Sequence, residues 1–276
     1  MELDQSILLA LSAMIGSVFG SMLGLGGGVF IVPLFTLWLG VDPKVAIGAS
    51  AVCVVTNSVV GSKRHLDNGF VNFRLATILQ STTAAGAIIG ALIALAVSAN
   101  FLKGLLGIVI MYAAFTMIRG SKKGVESVPP DAPDPMNLMN AYEDGNEIVR
   151  YVPKRLDVGL ATSGFAGVLS GMLGIGGGLV QVPVMNLIMG LPMRAAAGTS
   201  SFMVGMTSVA TAAVFYASGK IDPAVTAPAM VGVLAGSSLG SMLTKRFKVS
   251  HLLGLFFVVM VGLGISMILS AFGKGI

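Results

Sequence analysis

Charged residues are so sparse along this chain that its uninterrupted apolar runs define its elements. Charge-free stretches cover 5–41, 45–62, 75–102, 104–118, 158–193, 195–219, 223–244 and 252–273. A helical membrane span needs about 20 apolar residues, so most of these stretches predict one span each. The runs 5–41 and 158–193 are too long for one helix, and each carries a glycine cluster. These read Gly24-Leu-Gly-Gly-Gly28-Val-Phe-Ile-Val-Pro33 and Gly174-Ile-Gly-Gly-Gly178-Leu-Val-Gln-Val-Pro183. Each long run therefore predicts two short segments broken at the glycines, and the whole pattern predicts an all-α polytopic membrane protein.

A shift of 150 residues, without a gap, superposes the two halves of the chain. Besides the glycine clusters it pairs Gly40 with Gly190, Gly48 with Gly198, Ser50 with Ser200, Ser58 with Ser208 and Gly69 with Gly219, and it continues through Gly86 and Gly236 to Met117 and Met267. Small residues kept in register over so long a stretch mark an internal repeat. Each repeat holds five apolar segments: 7–24, 28–40, 45–62, 75–97 and 101–118, then 157–174, 178–190, 195–217, 223–244 and 251–272. The predicted division is a first transmembrane repeat over 1–118, a polar linker over 119–156 and a second repeat over 157–276. The linker, with Val128-Pro-Pro-Asp-Ala-Pro-Asp-Pro135, reads as solvated and in part poorly ordered.

Composition supports the membrane class: 55% of residues are hydrophobic and 11% charged, against roughly a quarter charged in soluble domains. The net charge of +5 is better explained by membrane orientation than by nucleic acid. Lys63, Arg64 and Arg74 fill the loop after the third segment, while the next loop has only Lys103. In the second repeat this reverses, with Lys220 alone in the equivalent loop and Lys245, Arg246 and Lys248 in the following one. The repeats are therefore predicted to be inverted in the membrane. Arg119, Lys122, Lys123, Arg150, Lys154, Arg155 and Arg194 then fall inside as well, and only Lys44, Lys103, Lys220 and Lys274 outside, with the linker cytoplasmic and both termini outside. The acidic start Met-Glu-Leu-Asp lacks the basic region of a signal peptide, so 7–24 reads as a retained segment. The one cysteine, Cys53, excludes an intrachain disulfide and is too few for a zinc or iron–sulfur cage.

At 1.5 Å per residue, 28–40 spans about 20 Å, short of the roughly 30 Å hydrocarbon core. The first two segments of each repeat must return the chain to the side it entered, as two tilted crossings or a re-entrant hairpin, and length favours the hairpin. Its tip is Gly24–Gly28 near the midplane, with the equivalent tip arriving from the opposite face. Pro33 and Pro183 suggest that a helix begins near Val32 and its equivalent, because proline suits the first helical turn. The free amides and positive dipole end would then face the glycines, a ready anion site. The competing reading is that the glycines serve tight turning and close packing. Packing is the reading for the spaced glycines Gly16, Gly20 and Gly24, Gly86 and Gly90, and Gly236 and Gly240. Neither cluster is a nucleotide fingerprint, since Val29 and Leu179 stand where a third spaced glycine belongs.

Polar residues inside the apolar segments are the second signal. Gly48-Ala-Ser50 and Gly198-Thr-Ser-Ser201 open the third segment of each repeat, with Asn57, Thr207 and Ser208 two turns on. Their hydroxyl and amide donors could bind an anion without the cost of a buried charge, or could bond back to their own helices. Gln181 stands opposite the apolar Ile31 in the repeat, and could make a site asymmetric or act as an ordinary interhelical donor. Cys53 reads as a small buried residue, or as a thiol meeting a sulfur-containing substrate. The candidate substrate-binding set is Gly26, Gly27, Gly28, Ser50, Asn57, Gly176, Gly177, Gly178, Gln181, Thr199, Ser200 and Ser201. No catalytic or metal-binding set and no cofactor motif is found. Asp, Glu, Lys, Arg and His are missing from the centre of every span, with His65 and His251 assigned to inner loops, which argues against proton relay and against an enzyme.

Two halves with Gly-x-Gly-Gly-Gly-x-x-x-Val-Pro and a following Gly-Ala/Thr-Ser helix start, joined by a polar loop, resemble the TauE/SafE family of sulfite and organosulfonate exporters. The resemblance implies a transporter of sulfite, sulfonates or related small anions in a bacterial or archaeal inner membrane. It places candidate site residues at Gly26, Gly27, Gly28, Ser50, Gly176, Gly177, Gly178 and Ser200. The expected function is export by alternating access; transport of thiosulfate or a carboxylate, and a non-transport assembly or sensor subunit, are the alternatives. A reporter fused to the C-terminus is expected to read as external, and a cytoplasmic reading overturns the topology.

Overall fold

A computed structural model describes residues 3–23, 25–120, 128–129, 133–134, 136–144, 147–243 and 249–273. Gly24 and the basic residues Lys122, Lys123, Lys245, Arg246, Lys248 and Lys274 lie outside the described residues, as do the side chains of Arg64, Arg119 and His251. The helices are α1 (Leu3–Leu23), α2 (Gly28–Pro33, continued by π-helical turns over Leu34–Trp38), α3 (Pro43–Asp67), α4 (Phe73–Ala96), α5 (Ala99–Gly120), α6 (Leu156–Leu173), α7 (Gly178–Leu187), α8 (Met193–Ala217), α9 (Pro223–Leu243) and α10 (Val249–Ala271). Among the described residues eight are long and apolar enough to cross a membrane, while Gly28–Trp38 and Gly178–Leu187 are shorter. The all-α polytopic class expected from the charge-free runs holds, and the chain is a multi-pass membrane protein.

Helix packing follows one rule: α1 lies on α9 and α4 on α6, while α3 pairs with α8 and α5 with α10. Under the offset of 150, the first two pairs exchange and the last two map onto themselves. Close backbone approach fixes the first two contacts. A methyl group added at Gly90 would lie 2.0 Å from the Val168 carbonyl oxygen, and one at Gly232 would lie 1.9 Å from that of Ala10. Gly86, Gly167 and Gly171 on the α4–α6 contact, and Gly236 and Gly240 on α9 against α1, are equally closed to a side chain. Small residues do this in membranes because lipid gives apolar surface no reason to leave it, so van der Waals contact must supply the attraction. Gly232, Gly236 and Gly240 meet Ala10, Met14 and Val18 in turn, so α1 and α9 run parallel. In α3 and α8, Gly48 meets Phe215 while Ser58 bonds to the carbonyl of Ser201, so these two run antiparallel.

Outward faces of the bundle carry exposed apolar side chains, among them Leu92, Ile108, Phe115, Val231 and Val258. In a multi-pass protein these meet lipid. The helices also overrun the charge-free stretches. α3 continues to Asp67 and takes in His65, and α10 begins at Val249 and takes in His251, so both histidines belong to helices rather than to the loops expected for them. Long or polar side chains at helix ends can reach the interface, which lets a helix outlast its apolar core.

The linker carries structure that its composition did not suggest. Strands β1 (Asn140–Asp144) and β2 (Glu147–Tyr151) form an antiparallel hairpin, with Asn140 opposite Tyr151 and Asp144 opposite Glu147. The hairpin docks on the loop between α3 and α4: Asn72 donates from Nδ2 to the Leu138 carbonyl at 2.8 Å, and Asn140 from Nδ2 to that of Val71 at 3.2 Å. Tyr142 packs edge-on to Phe70 with ring centroids 5.0 Å apart. Tyr151 is buried, and that burial pushes its phenol up to about 12 despite hydrogen bonds from Asn140 and Asn72. Two tyrosines and Leu138 thus supply an apolar anchor that the surrounding Pro, Asp and Glu obscure in the sequence.

Gly90→Ala is expected to destabilise the protein by about 1–3 kcal/mol, the usual cost of overpacking, because the Val168 carbonyl must move. Gly254→Ala, at a position with nothing within 4 Å, is expected to leave stability unchanged or slightly raised. Thermal unfolding in detergent of the two variants beside the parent protein checks both.

Candidate functional site

Each glycine cluster turns the chain through two successive left-handed residues. Gly26 and Gly27 both have φ of 80°, and Gly176 and Gly177 have φ of 79° and 82°, a region that glycine enters without steric cost. The turn leads straight into the helix. Gly27 caps α2 and Gly177 caps α7, and the amides of Phe30 and Ile31 bond to the Gly27 carbonyl as those of Val180 and Gln181 bond to that of Gly177. The helices therefore begin at Gly28 and Gly178, and Pro33 and Pro183 stand inside them rather than in the first turn. Two left-handed glycines complete the reversal at once, so no later start is needed. The missing amide of Pro33 instead precedes the π-helical turns over Leu34–Trp38, a widening that an interrupted ladder permits.

Both clusters arrive at the same point. A methyl group on Gly26 would lie 2.7 Å from Val204 Cγ1 and 2.8 Å from Val54 Cγ1, and one on Gly176 would lie 2.5 Å and 2.9 Å from the same two atoms. Val54 and Val204 are equivalent in the repeat and fully buried, near the middles of α3 and α8. The hairpins behind the tips are tight, with Gly20 of α1 against Gly27, and Gly16 against Phe30 and Ile31. The helix-start amides of Gly28, Val29, Gly178 and Leu179 precede the first intrahelical bonds, as at any helix N-terminus.

The polar candidates divide into those at this crossing and those engaged elsewhere. Ser50 donates from Oγ to the Gly174 carbonyl at 2.9 Å, which joins α3 to the second cluster, and its Oγ is 2.9 Å from where a Gly28 side chain would begin. Ser200 is buried with no hydrogen-bond partner for its hydroxyl, and its equivalent carbonyl, Gly24, is outside the described residues. Asn57 is 2% exposed, its Oδ1 has no partner, and its Nδ2 lies 3.6 Å from a side chain added at Gly27. Ser208, buried and unpartnered, sits 3.2 Å from one added at Gly176. By contrast the Thr199 hydroxyl accepts from the amide of Asn72 at 3.0 Å and ties α8 to the start of α4. Ser201 bonds back to the Ala197 carbonyl of its own helix, Gln181 reaches Thr83 at 3.2 Å, and Thr207 pairs with Gln80 at 3.2 Å. Gln181 still lies beside Gly177, with its Oε1 buried and unpartnered. Cys53 is buried in the hydrophobic core.

Next to Gly26 the structure encloses a cavity of about 10 Å³ lined by Gly20, Ser21, Gly26, Asn57, Ser58, Gly61 and Ser201. That is room for about one water molecule. Its walls offer amide and hydroxyl groups and no charge, so it suits a neutral or anionic group that accepts hydrogen bonds. Among the described residues no group of three or more His, Cys, Asp or Glu gathers to hold a metal. Val54 and Val204 were absent from the candidate set. Their signal is an i, i+4 stripe, Ser50–Val54–Ser58, that recurs as Ser200–Val204–Ser208.

Residues 8–267 match the profile of the family described as sulfite exporter TauE/SafE. A "probable membrane transporter protein YunE" of Bacillus subtilis is 24% identical over 95% of this chain and 97% of its own length. A "probable membrane transporter protein" of Xylella fastidiosa is 29% identical over 93% of this chain and 92% of its own. A "sulfite exporter TauE/SafE family protein 3" of Arabidopsis thaliana is 34% identical over 31% of this chain and 20% of its own. No solved structure matches the chain significantly. With paired glycine turns closing on one point between α3 and α8, and a family match that runs nearly from end to end, this chain is a membrane transporter protein of the sulfite exporter TauE/SafE family.

Proposed function

We propose that the protein exports a small sulfur oxyanion, sulfite or an organosulfonate, by alternating access of two inverted repeats around the paired glycine tips. The observation that carries this reading is the convergence of Gly26 and Gly176 on the same two valines, with the Asn57 amide beside Gly27 and the unpartnered Ser208 hydroxyl beside Gly176. Buried polar groups without partners are costly, and a passing oxyanion would accept the hydrogen bonds that the Ser200 and Ser208 hydroxyls do not make within the protein. The donors it would meet are the amide of Asn57, the hydroxyls of Ser200 and Ser208, and the helix-start amides of Gly28, Val29, Gly178 and Leu179. Gly27 and Gly177 would hold those amides in place, and Ser50 would steady the second tip through the Gly174 carbonyl. Helix-start amides attract anions through the positive end of the dipole as well as by hydrogen bonding.

The inverted arrangement draws support from the antiparallel α3–α8 pair and from the Lys and Arg placement, which puts the linker inside and both termini outside. α2 and α7 fit re-entrant arms, since 10 residues of α7 rise only about 15 Å. The cavity beside Gly26 has room for about one water, too little for an oxyanion of four heavy atoms, so transport by this route would require the tips to part. Export needs no coupling ion, because a negative interior drives an anion outward with about 2.3 kcal/mol per charge per 100 mV.

Proteoliposomes holding the purified protein are expected to release sulfite faster than protein-free vesicles, and faster still under an inside-negative potential. Release at the protein-free rate retires sulfite as the substrate, and competition by thiosulfate or a carboxylate shows whether another anion is preferred. Gly27→Val and Gly177→Val each place a β-branched residue at φ near +80°, where such side chains are strained. Each is expected to lower flux at least tenfold while membrane insertion, read by fractionation, is unchanged.

A further inference from the structure

The stripe Ser50–Val54–Ser58 on α3 and its counterpart Ser200–Val204–Ser208 on α8 place one apolar layer between two polar ones. Because α3 and α8 run antiparallel, Ser58 lies at the level of Ser201 on one side of the valines. On the other side Ser208 lies beside Gly176, and Ser50 bonds to Gly174. Asn57 and the small cavity belong to the first side; the cavity ends at Gly26, whose Cα faces both valines. Val54 and Val204 are fully buried, and all four partners of the crossing are apolar or bare backbone. This layer divides the polar groups near the tips into two sets.

We propose that Val54 and Val204 form the barrier of the substrate pathway, an apolar constriction that keeps water from joining the two sets of polar groups on either side of it. The proposal rests on the reading that the glycine tips flank the route of the solute. Its physical basis is that a narrow apolar constriction excludes water and so blocks hydrated ions without any charge of its own. The glycines complete it: with no side chain at Gly26 or Gly176, the backbone closes directly onto the valine methyls. A solute crosses only when the tips withdraw from the layer, which prevents an open aqueous path at the moment of exchange. The barrier also explains why polar side chains flank the centre but do not occupy it.

The test compares the parent protein with two double variants in proteoliposomes loaded with chloride, under a clamped potential. Val54→Thr with Val204→Thr keeps the volume of the layer and makes it wettable; Val54→Ala with Val204→Ala keeps it apolar and opens it. The parent protein is expected to hold chloride as tightly as protein-free vesicles. Each variant is expected to leak at least tenfold faster, and the threonine pair covers the case in which the alanine pair does not fold. A threonine pair that elutes and melts like the parent yet holds chloride as tightly overturns the barrier. Should neither pair fold, the single variants Val54→Thr and Val204→Thr are read by the same leak, and tightness of both overturns it too. Sulfite release is measured in the same preparations. Leak in the variants without sulfite release by the parent retires the substrate and keeps the barrier, whereas sulfite release with tight variants retires the barrier alone.

Discussion

Lipid offers no hydrogen bonds to a backbone and no hydrophobic push between helices, so this protein is organised by backbone brought against backbone. The α1–α9 and α4–α6 contacts are closed by glycines whose Cα atoms touch carbonyls of the facing helix. The same device, compressed into three successive glycines, turns the chain inside the bundle and carries two short helices to its centre. Tight packing and the candidate site are therefore two uses of one property. Where the glycines are spaced by four they join helices, and where they are consecutive they leave amides free.

Much of this was legible in the sequence because glycine has few uses in a membrane. The charge-free runs located the helices, and the interruption of two of them marked α2 and α7 as short. The four-residue spacing of Gly86 and Gly90 and of Gly236 and Gly240 predicts close helix packing, and these glycines do pack against facing backbone. Other features were not legible, for distinct physical reasons. The start of α2 was displaced because Pro33 is an equally good signal for a first turn, and nothing local says that Gly27 already caps the helix. The hairpin of the linker was hidden because its anchors, Tyr142 and Tyr151, are few among many polar residues and gain their burial from Phe70 and Asn72, some 70 residues away in sequence. Thr199 could not be separated from Ser200, since only the fold shows that one hydroxyl turns to Asn72 and the other does not. Val54 and Val204 were invisible as candidates because chemistry-bearing residues draw the eye, and a barrier has none.

The two halves match in the order of their helices but differ in detail, as where α2 passes into π-helical turns and α7 continues as an α-helix. By the offset of 150, Asn57, whose Oδ1 has no partner, corresponds to Thr207, which is bonded to Gln80; Ile31 corresponds to Gln181 and Gly20 to Ser170. Differences of this kind cost little to the fold because they fall on polar groups beside the tips and leave the contacting glycines alone. The cavity beside Gly26 is lined by Asn57 and Ser58, while the second tip has Ser208 and Gln181 nearby.

The exchanged pairing of helices has a consequence for how the chain is made. α1 finds its packing partner in α9 and α4 finds its own in α6, so neither can complete its contacts while only the first half has left the ribosome. Until the second half is inserted, the glycine faces of α4 and the small residues of α1 are open to lipid or to a wrong neighbour. Assembly must then wait for the second half, α4 until α6 is inserted and α1 until α9 follows.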